Sequence, residues 1–289
     1  MKLSLAHTLR HYDKKNIGKD ILAGLIIMAV SIPISMGYAL IAGLPAVYGL
    51  YGSVFPILAF ALLSTSPQFI FGVDAAPAAL IGSALLTLHV EAGSEEAMAV
   101  VPVLTFFVAM WLLAFSFMKA GKLVNYISAP VMGGFITGIC STIILMQVPK
   151  ILGGTAGTGE FFELAKHIGQ TAKHVNMPSI LLGVASLVIL LVAKKLVPKF
   201  PMAVVLMVAG ACYTRVGNVR ELGIQTLSKV ETGLPQWQIP DFSAVSIREA
   251  VTVSLSVAVV IMAETLLAEN NFAQKNGYRI DDNQEIFAF

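Results

Sequence analysis

The chain is short of charge, of cysteine and of histidine, and each shortage excludes something. Only 12% of its 289 residues are charged, about half the ~25% usual in soluble domains, so it is not built around a water-facing surface. The formal net charge of +2 carries no basic patch and gives no nucleic-acid signal. Five histidines and two cysteines are too few and too scattered for a metal cluster or a disulfide framework. Cys140 and Cys212 both sit inside apolar runs and are expected as buried free thiols. No HExxH, GxSxG or carboxylate pair within one helix occurs, so neither an enzyme nor a cofactor is expected, beyond a coupling ion such as Na+ or H+.

Hydrophobic sequence is abundant instead, at 56% of residues with a mean hydropathy of +0.79. Apolar runs of about 20 residues, long enough to cross a bilayer, make this an all-α polytopic membrane protein with the lipid bilayer as its solvent. Membrane segments are expected at about 20–43, 46–64, 73–89, 98–118, 124–148, 178–196, 201–217 and 246–268. The third and seventh are short, as helices that stop within the bilayer would be. Residues 1–19 are polar and basic, and the first apolar run is too long for a cleaved signal peptide.

Basic residues set the expected orientation. Lys2, Arg10, Lys14, Lys15 and Lys19 precede the first segment. Lys119 and Lys122 follow the fourth, and Lys194, Lys195 and Lys199 follow the sixth. These positions share one side if the chain alternates, and the positive-inside rule makes that side, with the N-terminus, cytoplasmic. Residues 159–175 do not span. Phe161, Leu164, Ile168 and Val175 fall on one side with Lys166, His167, Lys173 and His174 elsewhere, which predicts an amphipathic helix at the outer interface.

Polar residues inside the spans are few enough to be read singly. Asp74 stands where the short third helix would begin, in STSPQFIFGVDAAPAALIGS. As a helix cap it needs no other role, and Pro77 is tolerated in a first turn. An ionisable side chain at a broken segment in hydrocarbon also belongs beside an enclosed cavity, where a helix start offers N–H groups and a positive dipole end. Ala75, Ala76, Ala78 and Ala79 follow, small enough for a solute or a helix to come close. Glu264 ends a 14-residue stretch without charge, AVTVSLSVAVVIMA, and is expected to be protonated, paired or bound to a cation. Thr265 adds a hydroxyl beside it, and Ser254 returns to the same face. In the first segment Pro33, Gly37 and Gly43 interrupt SIPISMGYALIAGLP, with Ser31, Ser35 and Tyr38 near the proline. Gly134 and Gly138 form a GxxxG pattern that predicts tight helix packing.

Four blocks together carry a resemblance: IPISMGYALIAGLPAVYGLYGSVFP, GVDAAPAALIGS, APVMGGFITGI and AETLLAENNFAQKNGYRIDDNQE. In this order they resemble the sulfate permease (SulP) anion transporters. The resemblance implies fourteen membrane segments as two inverted seven-segment repeats, a core domain moving against a gate domain, and a cytoplasmic STAS domain. On that plan residues 20–217 are the first repeat, and 218–289 are a linker and the start of the second, with the eighth helix at about 246–268. The tenth segment and the STAS domain are not in the chain. The implied activity is secondary transport of sulfate, bicarbonate or a similar inorganic anion or small carboxylate, by symport with H+ or Na+ or by exchange. A uracil/xanthine-type permease of the same inverted-repeat plan, or a truncated membrane protein that transports nothing, is the alternative. A bacterial inner-membrane location and a homodimer of the full-length protein are implied as well.

The resemblance also places the anion at the start of the third segment, beside the middle of the first. Tyr38, Val73, Asp74, Ala75 and Ala76 are then the candidate substrate-binding residues. Glu264, with Thr265 and Asp74, is the candidate cation-coupling group, with Na+ as a possible ligand at Glu264. Two departures stand out. Pro33 is followed by Ile34 where the family commonly has glutamine, which removes an amide donor. Asp74 puts negative charge where an anion should be attracted, and two like charges at low dielectric repel. Either Asp74 is protonated when substrate binds, or a cation neutralises it, or its side chain turns away as a cap. The first two mean cation-coupled uptake.

Overall fold

A segment in hydrocarbon must satisfy its own backbone, and a helix is the local way to do so. The computed structural model follows this rule along the chain. It describes residues 12–124, 129–155, 157, 161–197, 200, 202–219, 221–226, 233–235 and 239–289, and among these there is no strand. The α-helices are α1 (Ile17–Ile41), α2 (Ala46–Gly52), α3 (Phe55–Leu63), α4 (Ala75–Thr87), α5 (Glu95–Phe117), α6 (Gly121–Val124), α7 (Ala129–Ile151), α8 (Phe161–Thr171), α9 (Met177–Leu196), α10 (Met202–Val216), α11 (Ile247–Asn276) and α12 (Asp282–Ala288).

Among the described residues five stretches are long and apolar enough to cross a membrane: Lys14–Ile41, Ala46–Leu63, Glu95–Phe117, Met177–Leu196 and Ile247–Asn276. The expected short third and seventh segments appear as α4 and α10, of 13 and 15 residues. The second segment is two helices rather than one, broken at Ser53 and Val54. Pro56 opens the second piece, where its missing N–H breaks no helical bond. The eighth helix runs past its expected end at 268 to Asn276, closed by Gly277 at φ 73°. Glu264 therefore lies well inside a helix rather than near its end.

The chain divides into two compact units. One holds residues 1–15, 35–138 and 233–289; the other holds 16–34 and 139–232. The division cuts across the order of segments along the chain, because α11 and α12 return to pack on α5, α4 and α3. In the first unit α5 is the central helix. Its Val100, Val103 and Leu104 and the Ala250, Ala258 and Leu266 of α11 are fully buried. The small residues let the two helices approach closely, and the Trp111 Nε1 donates to the Val251 carbonyl at 3.2 Å. Ser94 caps α5 by accepting from the Ala97 N–H at 3.1 Å, with Glu95 and Glu96 in the first turn complementing the dipole.

In the second unit Asn176 caps α9 by accepting from the Ser179 N–H at 2.8 Å, while its Nδ2 donates to the Leu222 carbonyl. The amphipathic helix α8 buries Leu164 and exposes Phe161 and Phe162. It ends at Thr171, so Val175, assigned to its apolar face, lies beyond it. The His174 N–H turns back to the Thr171 carbonyl there, at 3.0 Å. Residues 159 and 160, expected at the start of this helix, lie outside the described residues, as do the basic positions Lys2, Arg10 and Lys199.

Two expectations are corrected. Cys140 and Cys212 are exposed on their helices, not buried. Apolar residues on a membrane helix have lipid as an alternative to a protein interior, so position in an apolar run does not imply burial within the protein. A Cβ placed on Gly134 or Gly138 would meet nothing within 4 Å, so among the described residues this GxxxG pattern makes no close packing.

The close approaches lie elsewhere. A Cβ on Gly49 would stand 2.0 Å from the Ser35 carbonyl oxygen, and one on Gly82 would stand 2.2 Å from that of Ile41. Both obstacles are backbone and cannot swing aside. Gly82→Ala and Gly49→Ala should therefore each destabilise the fold by about 3 kcal/mol, the upper end for overpacking. Gly134→Ala should be neutral. Thermal unfolding of the three purified variants, read by intrinsic fluorescence, checks the contrast.

Candidate functional site

Helix α1 ends in a left-handed turn at Gly43 (φ 76°), which places Tyr38, Ala39 and Ala42 of its last turns facing α4 and α5. From Ser64 to Asp74 the chain is not helical. No strand forms in it either, and the stretch ends where Asp74 starts α4. Asp74 has extended backbone (φ −126°, ψ 153°), and its Oδ1 accepts from the Ala75 N–H at 2.6 Å. It is a helix cap.

It is also a cavity wall. A cavity of about 470 Å³ is lined by Tyr38 of α1, Tyr48 of α2, the non-helical segment Phe69–Asp74, Pro77 and Ala78 of α4, Thr105 of α5 and Thr265 of α11, among others. All of them belong to the first compact unit. The lining is apolar apart from hydroxyls and the Asp74 carboxylate, and no lysine, arginine or histidine is among it. Its size suits a small solute.

Of the residues predicted from sequence, Tyr38, Val73, Asp74 and Thr265 line this cavity together. Ala75 and Ala76 do not. Ala75 is packed at 2% exposure, and the first turn presents Pro77 and Ala78 to the cavity in their place. Glu264 does not line it either, but its carboxylate neighbours that of Asp74, and both neighbour the Tyr38 hydroxyl. Its Oε2 is buried without a hydrogen-bond partner. Ile34, which replaces the family's glutamine, is exposed and stands outside the cavity.

Thr105 and Tyr48 went unpredicted. Thr105 lies in the middle of an apolar span, where its hydroxyl donates to the Val101 carbonyl at 2.9 Å. That single polar residue in VVPVLTFFVAM was the available signal. Tyr48 offered none, since a tyrosine near a helix start reads as interfacial.

The helix start holds few free donors. Pro77 has no N–H, the Ala75 N–H goes to Asp74, and the Ala78 N–H goes to the Asp74 carbonyl at 3.2 Å. An anion arriving here would meet a helix end already occupied by a carboxylate. Among the described residues no group of three histidine, cysteine, aspartate or glutamate side chains could hold a metal ion.

The sulfate permease family model matches residues 17–289. The chain belongs to the sulfate permease family. It is 28% identical over 280 residues to a protein of Mycobacterium tuberculosis named a probable sulfate transporter, covering 96% of this chain and 50% of that one. To the sulfate transporter of Bos taurus it is 28% identical over 324 residues, covering 99% and 44%. The chain thus spans about half the length of the curated relatives it matches. Among solved structures it resembles SLC26A9, with a TM-score of 0.84 at 26% identity over 98% of this chain and 48% of that one. The transmembrane domain of the cyanobacterial bicarbonate transporter BicA shares the fold, with a TM-score of 0.77 at 19% identity, over 96% and 70% of the two chains. The family is one of multi-pass membrane proteins, and the fold is the all-α, inverted-repeat transporter class.

The cap can be separated from any charge effect. Asp74→Ala should cost about 1 kcal/mol of stability, the usual value of a lost cap, whereas Asp74→Asn keeps a capping oxygen and should cost at most a few tenths. Thermal unfolding of both variants decides this.

Proposed function

We propose that the protein is a secondary active transporter of an inorganic anion or small carboxylate, sulfate or bicarbonate being the leading substrates, and that uptake is coupled to H+ or Na+. Family membership supports transport of an anion, and the relatives named for sulfate and bicarbonate narrow its class. One observation carries the coupling: Asp74 caps the helix whose start faces the cavity, and Glu264 stands beside it.

The mechanism follows from the competition at that helix end. While Asp74 is ionised it takes the Ala75 N–H and repels an anion. Two neighbouring carboxylates shielded from water call for a proton or a Na+ between them. Once a cation is held there, the repulsion is removed and the helix dipole and the hydroxyls of Tyr38 and Tyr48 can face the anion. Binding of cation and anion are then favourable together and unfavourable apart, which is the condition for symport. Val73, Asp74 and Tyr38 contact the substrate in this reading; Glu264, Thr265 and Asp74 hold the cation. The protein acts in the bacterial inner membrane as a homodimer with its N-terminus cytoplasmic, an orientation that the basic residues favour.

Uptake of radiolabelled sulfate and bicarbonate into proteoliposomes, with imposed pH and Na+ gradients, tests this. An inward H+ or Na+ gradient should accelerate uptake in the parent protein. In Asp74→Asn and in Glu264→Gln that acceleration should fall by about tenfold, corresponding to the ~1.4 kcal/mol of one lost coupling interaction. Unchanged gradient dependence in both variants would sink the symport reading. Absence of anion uptake by the parent protein would remove the transport reading itself.

A further inference from the structure

The cavity wall Phe69–Asp74 belongs to no helix and no sheet, so something else must hold it. The residues that do so come from the far end of the chain. Glu285, fully buried in α12, accepts from the Ser64 hydroxyl at 2.7 Å, from the Thr65 N–H at 2.6 Å and from the Thr65 hydroxyl. Gln284 donates its Nε2 to the Leu63 carbonyl at 2.8 Å, which satisfies a backbone group at the open end of α3. The Asp281 N–H donates to Thr65 Oγ1 at 3.0 Å. Tyr278 and Ser66 pair through their hydroxyls at 3.3 Å, and Ser66 Oγ in turn accepts from the Phe69 N–H. Phe289 stacks on Phe71 at 5.2 Å and on Phe60 at 5.9 Å.

The clasp is itself anchored. The Asn283 carbonyl accepts from the Ser116 hydroxyl at 2.8 Å, and its Oδ1 accepts from the Gly121 N–H at 3.2 Å, while Asn270 Nδ2 donates to Asp282 Oδ1 at 2.9 Å. Segment 278–289 therefore ties the 63–71 stretch to α5 and α11. None of the clasping residues Asp281, Gln284, Glu285 and Phe289 lines the cavity.

We infer that Glu285 is a positioning residue for the cavity: by gripping Ser64 and Thr65 it fixes where Phe69–Asp74, and with them the Asp74 carboxylate, stand. Three donors converge on one buried carboxylate, and removing that acceptor would leave them without a partner. The ends of an eleven-residue stretch are then pinned, at Ser64 by the clasp and at Asp74 by the start of α4. Losing the Glu285 grip leaves the first end to the weaker contacts of Gln284, Asp281 and Tyr278 and to the stacked ring of Phe71.

The inference rests on the proposed function only in its uptake arm; its other arm needs no substrate. Glu285→Gln keeps the size of the side chain but places an amide against donors. Backbone hydrogen exchange of the purified full chain, followed by mass spectrometry, should show the 69–74 amides exchanging about tenfold faster, with the α11 amides unchanged. Thr65→Val, which removes one hydroxyl and leaves the carboxylate in place, should give a smaller rise of about threefold and covers the case in which Glu285→Gln does not fold. In proteoliposomes both variants should raise the KM for sulfate or bicarbonate, by about the same factors, and leave the maximal rate within about twofold. Exchange unchanged at 69–74, or raised equally throughout the first unit, overturns the inference. So does faster exchange at 69–74 with an unaltered KM. A parent protein that moves neither anion counts against the transport reading alone, and the exchange pattern then decides the role of Glu285.

Discussion

In the hydrocarbon of a bilayer a backbone that leaves its helix must find partners within the protein, and the stretch between α3 and α4 depends on that constraint. From Ser64 to Asp74 the chain gives up its own hydrogen-bond ladder. Its Ser64 and Thr65 groups are taken up by Glu285 at one end, and Asp74 accepts from the start of α4 at the other. Because that stretch is not helical, its side chains can wall a cavity, and a carboxylate can stand at the mouth of a helix. A continuous helix through the same residues would have satisfied the backbone more simply and left no site.

The two ends of the first unit serve each other. The chain from 278 to 289 is too short to form a stable fold by itself; it is held by docking against α5 and by the stacked rings of Phe60, Phe71 and Phe289. In return it supplies the acceptors that the broken segment lacks. Structure and site are thus coupled through a few buried polar contacts, and buried polar contacts specify one arrangement more sharply than apolar ones do. The close backbone approaches at Gly49 and Gly82 do the same for the helices around the cavity.

Electrostatics at the cavity runs against the simplest picture of an anion site. No basic side chain lines it, and the helix start that would attract an anion is capped by Asp74. A neighbouring Glu264 adds a second carboxylate. In the proposed mechanism attraction for an anion is created by a cation, which would make the site conditional in a way that a ring of arginines would not be.

Composition alone determined that the chain is a helical membrane protein, because a run of about 20 apolar residues has no other stable form in a bilayer. The short third and seventh segments, the cap at Asp74 and the family blocks were also legible, since each depends on local chemistry or on an ordered string of residues. Tertiary structure decided the rest. Nothing local distinguishes Ala75 and Ala76 from Pro77 and Ala78; the helix rotation set by packing against Ile41 does. Burial of Cys140 and Cys212 could not be read because lipid and protein interior select the same residues. The partnership of Glu285 with Ser64 and Thr65 joins positions 221 and 220 residues apart. Only the return of the chain onto α5 brings them together, and no periodicity along the sequence records a contact of that range.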